Sequence, residues 1–222
     1  TTWSQQQKIQ ASDAQASDQF GNTVDIDGDT VVVGAKYEDT GGSNAGAAYV
    51  FTRSGTTWSQ QQKIQASDAA ADDNFGYSVG IDGDTVAVGA YKEDTEASNA
   101  GAAYIFTRSG TTWSQEAKLT ASDAVANDYF GKGLALDGNT VVVAATDEDT
   151  TENNSGAAYI FTRSGSTWTQ DKKLKASSPK EYGSLGGYGG NGIALEDDTI
   201  VCGQPGGDST NGGAADIFVG PS

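Results

Sequence analysis

One unit recurs along this chain. The segment Thr1-Thr2-Trp3-Ser4-Gln5 returns as Thr56-Thr57-Trp58-Ser59-Gln60, as Thr111-Thr112-Trp113-Ser114-Gln115 and, slightly altered, as Ser166-Thr167-Trp168-Thr169-Gln170, each step being 55 residues. A period of this length marks a stacked array, because so small a unit cannot bury both of its faces and needs a neighbour against each. The chain divides into repeats 1–55, 56–110, 111–165 and 166–222, expected to form a single domain.

Four strand segments are legible in the first repeat. Residues 23–27 alternate, with Val24 and Ile26 on one face; residues 30–35 are Val-rich; residues 47–53 carry Tyr49, Val50 and Phe51; residues 3–10 are the fourth type. Asp27-Gly28-Asp29, repeated as Asp82-Gly83-Asp84 and Asp137-Gly138-Asn139, is a tight hairpin signal, since Asp and Gly tolerate positive φ. Arg53-Ser54-Gly55 makes a second short turn. The 30 Gly against 3 Pro, with abundant Val, Thr and aromatic residues, suit short strands and frequent turns. The expected fold is all-β: a four-bladed β-propeller of four-stranded antiparallel blades. The position held by Asp25, Gly80, Ala135 and Ala194 is mostly small, as inner strands converging on an axis require. A β-solenoid is the alternative, although its coils are usually shorter. The last repeat runs to Ile217-Phe218 without a further Thr-Thr-Trp strand, whereas the chain begins with one. Residues 3–10 are therefore expected to complete the last blade and remove an open edge.

Charge and composition narrow the function. A formal charge of −17 repels nucleic acid and anionic membrane surfaces, and suits cations or basic partners. The sequence contains no His, so zinc, haem and Ser/His/Asp chemistry lack an imidazole. Cys202 aligns with Val33, Val88 and Val143 and is expected to be a buried thiol rather than a nucleophile. No apolar run is long enough to span a bilayer. The start, Thr1-Thr2-Trp3-Ser4, has no initiator Met and no basic, apolar leader, so a processed or excised chain is expected, with any targeting segment outside it.

Phe20-Gly21, Phe75-Gly76 and Phe130-Gly131 precede Val31-Val32-Val33-Gly34-Ala35 and its copies, and Gly46-Ala47-Ala48-Tyr49-Val50-Phe51 and its copies follow. This pattern resembles the FG-GAP repeat of integrin α-subunit-like β-propellers, in a short variant with Trp and Gln in the outer strand. The resemblance implies a propeller that recognises ligands outside the cell, as a secreted or cell-surface module. Integrin-type repeats often carry a calcium loop between the first two strands. Here that loop has shrunk to Asp27-Gly28-Asp29, too short to wrap a cation needing six to eight oxygens. Integrin heads usually have seven blades, so four repeats imply either a compact monomeric ring, the expected state, or two chains sharing an eight-bladed one. The fourth copy departs most, with 182–190 in place of the Phe-Gly segment and Pro205-Gly206-Gly207 in place of an acidic loop.

In a meander blade the loops 11–22 and 36–46 and their equivalents share one face, where propellers commonly bind ligands. More than half of the 30 carboxylates fall there. The expected ligand face comprises Asp13, Asp18, Glu38, Asp39, Asp68, Asp73, Glu93, Asp94, Asp123, Asp128, Glu148 and Asp149. Crowded carboxylates repel one another unless compensated, which makes calcium the candidate ion at Asp13, Asp18, Asp68, Asp73, Asp123 and Asp128. A solvated acidic rim is the alternative. No carboxylate pair stands out as a glycosidase acid and base, and no organic cofactor is implied. Trp3, Trp58, Trp113 and Trp168 share strand parity with Ile9, Ile64, Leu119 and Leu174, which places them between blades rather than on a sugar platform. The Tyr49 and Phe20 series are read the same way. Asn153-Asn154-Ser155 is an N-glycosylation sequon, compatible with secretion. The reading is a non-catalytic extracellular binding or adhesion module for a protein or glycan, with a lectin-like carbohydrate-binding propeller as the alternative and a glycoside-active enzyme behind it.

Overall fold

The structure, a computed structural model, describes residues 2–149, 152–187, 192–205 and 212–220. Tyr188, Gly189, Gly190, Gly206, Gly207 and Asp208, which figure in the reading of the fourth repeat, lie outside them. The described residues are all-β, arranged as four antiparallel sheets. The first contains β1 (Val24–Asp27), β2 (Thr30–Ala35), β3 (Ala47–Ser54) and β4 (Thr57–Ile64). The second contains β5 (Phe75–Asp82), β6 (Thr85–Ala90), β7 (Ala102–Ser109) and β8 (Thr112–Leu119). The third contains β9 (Phe130–Asp137), β10 (Thr140–Ala145), β11 (Ala157–Ser164) and β12 (Thr167–Leu174). The fourth has β13 (Ile193–Glu196), β14 (Thr199–Gln204) and β15 (Ala214–Val219). Each sheet is a meander in sequence order, the blade of a propeller.

The expected turns form. Asp27 faces Thr30 across the first hairpin, and Gly28, Gly83 and Gly138 take φ of 54°, 55° and 55°. Each outer strand of the first three blades carries a bulge. Opposite Val50 and Phe51 stand Gln62 and Gln60, leaving Gln61 as the extra residue; Glu116 and Asp171 are its counterparts. A bulge re-aims a side chain, and here it aims at the next blade. Gln61 accepts the Trp113 indole N–H at 2.8 Å and Glu116 that of Trp168 at 2.9 Å.

Blades pack face to face. Val32, Val50 and Ile64 of the first blade meet Phe75, Val79, Ile81, Val88, Tyr104 and Trp113 of the second. Ala87, Ile105 and Leu119 then meet Phe130, Leu134, Val143 and Tyr159 of the third, which presents Val142, Ala144 and Leu174 to Ile193, Ile200 and Cys202. Strand alternation thus sends successive residues into two different interfaces, each buried aliphatic side chain contributing about 1.5–3 kcal/mol. Cys202 is fully buried, as expected, and burial pushes its thiol up to about 12. Gly46, at φ 88°, bridges Phe75 of the next blade so closely that a Cβ would lie 2.0 Å from the Phe75 carbonyl oxygen. That approach explains both the glycine and its fixed distance from the Phe-Gly pair. In the fourth copy Leu185-Gly186 occupies the Phe-Gly place, with Leu185 fully buried and Gly186 at φ 96°.

The closure expected at the N terminus does not form. Residues 2–10 belong to no strand, and the last sheet stays three-stranded, β13-β14-β15. The segment is held by the first blade instead. Gln6 accepts the Trp58 indole N–H at 3.0 Å, while Gln7 accepts the Trp58 backbone N–H and donates to its carbonyl, both at 2.9 Å. Gln61 and Gln62 hold Trp113 in the same way. Residues 2–10 therefore stand towards the first blade as β4 stands towards the second, the side an outer strand of the last blade would take, and what is absent among the described residues is the ladder to β15. Trp113 and Trp168 pack between blades as expected, whereas Trp58 packs between the first blade and residues 2–10, and Trp3 is 99% exposed. Val24 is 58% exposed where its counterpart Val79 is 5%, so the four blades form an open arc. Inner-strand residues from all four, among them Val24, Val79, Leu134 and Ile193, still line one axial cleft of about 460 Å³.

Candidate ligand face

The loop face is built by two kinds of residue, and the acids belong to the first. Lys63, on β4, reaches Asp13 at 2.8 Å and Glu38 at 2.7 Å. Lys118 holds Asp68 and Glu93 at 2.7 and 2.9 Å, and Lys173 holds Asp123 and Glu148 at 2.6 and 2.8 Å. Tyr49 donates to Asp13 and Tyr159 to Asp123, each at 2.9 Å. The glutamates Glu38, Glu93 and Glu148 are buried, and the hydroxyls of Thr40 and Thr95 donate to the first two. Burial opposes ionisation of Asp13, Asp68 and Asp123, but the lysine's hydrogen bond and charge, with the other hydrogen bonds each carboxylate accepts, together outweigh it and hold each carboxyl below the usual range.

A second set closes turns. Asp18, Asp73 and Asp128 accept the backbone N–H three residues earlier, from Gln15, Ala70 and Val125, at 2.7, 2.7 and 3.0 Å. Burial pushes Asp73 and Asp128 up to about 6, with Glu93 and Glu148 adding repulsion. Asp39, Asp94 and Asp149 are exposed and accept the N–H of Asn44, Asn99 and Asn154 at 2.7, 2.6 and 2.6 Å. The structure thus brings Asp13 to Glu38, Asp68 to Glu93 and Asp123 to Glu148 through a shared lysine. Among the described residues no three carboxylates gather as a cation would need. Each lysine lies 50 residues along the chain from its aspartate, and only the recurrence of Lys63, Lys118 and Lys173 at one point of the repeat signals the pairing.

The other kind of residue forms a patch that motif reading passes over, because it sits where the repeats differ. Position 36 is Lys36, Tyr91 and Thr146 in successive copies; position 37 is Tyr37, Lys92 and Asp147; position 22 is Asn22, Tyr77 and Lys132; position 19 is Gln19, Asn74 and Tyr129. These residues lie just past the ends of β2 and β6 or at the starts of β5 and β9. Three half-buried rings form a row, with Tyr77 and Tyr91 centroids 4.4 Å apart and Tyr91 and Tyr129 5.6 Å apart. Lys36 caps one end, 4.9 Å from the Tyr77 centroid, and Lys132 the other, 4.8 Å from that of Tyr129. Tyr37 and Lys92 flank the row, and Asp147 pairs with Lys132 at 3.2 Å. Burial, then the neighbouring phenols, push Tyr91 up to about 12, so its phenol is a neutral donor at physiological pH.

A sequence model described as FG-GAP repeat matches residues 3–51, 58–106 and 113–161, well over half of the chain. No curated protein matches it.

Proposed function

Because the chain belongs to the FG-GAP repeat family, we propose that it is a non-catalytic adhesion module that works outside the cell and takes a protein or glycan on its loop face. One observation carries this reading. The polar residues common to the first three repeats are engaged in lysine bridges and turns, whereas the loop-face residues that differ collect in one aromatic and cationic patch. A binding site is normally built once, and the departure from repeat symmetry marks where. The exposed Asn153 of the sequon supports an extracellular setting.

Lysines already compensate the charge that made calcium a candidate, so calcium assistance would rest on exposed carboxylates such as Asp39, Asp94 and Asp149. The test is retention of the chain on glycan and matrix-protein arrays, repeated in chelator. Capture that survives chelator and is blocked by a bulky label on a cysteine introduced at Lys36 supports the reading. Capture abolished by chelator favours the calcium-assisted form, and no capture of any kind overturns the module.

A second assembly is favoured by the exposed Val24 and Ile26 and by the three-stranded last sheet. Two chains completing one eight-bladed ring would cover both. Solution mass separates that dimer from the monomer.

A further inference from the structure

The geometry points to an acidic saccharide as the ligand of the Lys36–Tyr77–Tyr91–Tyr129–Lys132 row, specifically an oligosaccharide of uronic acid residues. This rests on the loop-face reading above and names the chemistry of its ligand. Three half-buried tyrosine rings in sequence, tilted on one another with centroids 4.4 and 5.6 Å apart, form one aromatic ledge against whose exposed parts the C–H sides of a pyranose can pack. The hydroxyls of the three tyrosines, together with that of Tyr37, can donate to and accept from ring and hydroxyl oxygens. An ammonium at each end supplies charge-assisted donors that a carboxylate takes and a neutral sugar cannot use as well, Lys36 providing the principal one because Lys132 also holds Asp147 at 3.2 Å.

The patch also stands against the rest of the surface. In a chain of formal charge −17 it gathers three of the 13 basic residues, Lys36, Lys92 and Lys132, around four tyrosines. At physiological ionic strength the Debye length is about 8 Å, so distant rim acids are largely screened while a lysine in contact with the ligand is not. Cationic donors beside aromatic faces are poor surroundings for calcium or for a basic peptide, which fit the rim instead.

Calorimetric titration of the full chain with an oligogalacturonate, and with a neutral oligosaccharide of the same length, tests the assignment. The expected result is preferential uronate binding that Lys36→Gln weakens about tenfold, the loss of one charge-assisted contact. Tyr91→Ala should abolish binding and Tyr91→Phe retain most of it, with melting temperature reporting whether each variant is folded. Glu196→Gln, an exposed carboxylate beside the β13–β14 hairpin rather than on the loop face, should leave affinity unchanged. Uronate binding that Lys36→Gln does not weaken overturns the site. No uronate binding, while the arrays still show a loop-face ligand, overturns the ligand class and leaves the module reading standing; no binding to any probe overturns both.

Discussion

The carboxylate of Asp27 accepts the backbone N–H of Gly83 in the next blade at 2.8 Å. The contact recurs from Asp82 to Gly138 and from Asp137 to Asp197, both at 2.7 Å. The first Asp of each hairpin therefore does more than turn the chain: it ties one blade's turn to the turn of the next. Asp25 does the same one step inward, accepting the Ile81 N–H at 2.8 Å. Asp82→Ala should cost about 1 kcal/mol, the low end for a charge-assisted bond because the turn is exposed, with unchanged m-value in urea unfolding.

Asp197 occupies the place of Gly28, Gly83 and Gly138 and is held at φ 52°. A side chain in that region is strained where glycine is not. Asp197→Gly keeps the backbone donor to Asp137, so it should stabilise the fourth blade by about 0.5–1 kcal/mol, read as a rise in the urea midpoint.

Glu93 and Glu38 share a role but not a full set of partners. Gln65 donates to the second oxygen of Glu38 at 3.0 Å, whereas Thr120 stands at the position equivalent to Gln65 one repeat later and the buried second oxygen of Glu93 has no hydrogen bond among the described residues. Thr120→Gln should therefore stabilise the chain by about 1 kcal/mol. Equilibrium unfolding of the pair of variants, with Gln65→Thr losing a similar amount, checks it.

Lys118 bridges Asp68 to the buried Glu93. Lys118→Met removes the compensating charge from both and should cost about 2–4 kcal/mol at neutral pH. Thermal melting checks this, with the loss shrinking as acid protonates the two carboxyls.

Acid should act in two opposite steps. Asp73 and Asp128 are raised from 3.8 to about 6, so the native state binds more protons than the unfolded chain between those values. Stability should therefore rise as pH falls from about 7 towards 4. Asp13, Asp68 and Asp123 are lowered, so their contribution is present above the unfolded value of 3.8 and is lost as pH falls through their native values. The predicted profile has its maximum at about pH 4, and Asp73→Asn should flatten its neutral side; urea midpoints across pH measure it.

The repeat, the strands, the hairpins and the inter-blade place of Trp113 and Trp168 were legible in the sequence, because each depends on local pattern. What was not legible depends on partners a blade away. The similarity of residues 3–10 to β4 gives their contact with the next blade, which Gln6 and Gln7 make by holding Trp58, but not whether they form a ladder with β15, a partner at the far end of the chain. The acids were visible as a cluster, yet lysines 50 residues further on decide whether they face an ion or each other. The tyrosine row escaped notice because a residue that differs between repeats carries no periodic signal.

The central claim is that residues common to the repeats hold the loop face together while residues that differ bind. Amide shift mapping by NMR during titration of the labelled chain with oligogalacturonate tests it most directly. The account predicts shifts centred on Lys36, Tyr77, Tyr91, Tyr129 and Lys132, with Asp13, Glu38, Asp68 and Glu93 unmoved. Shifts centred on the carboxylates and their lysines, or on the tryptophan seams between blades, would contradict it.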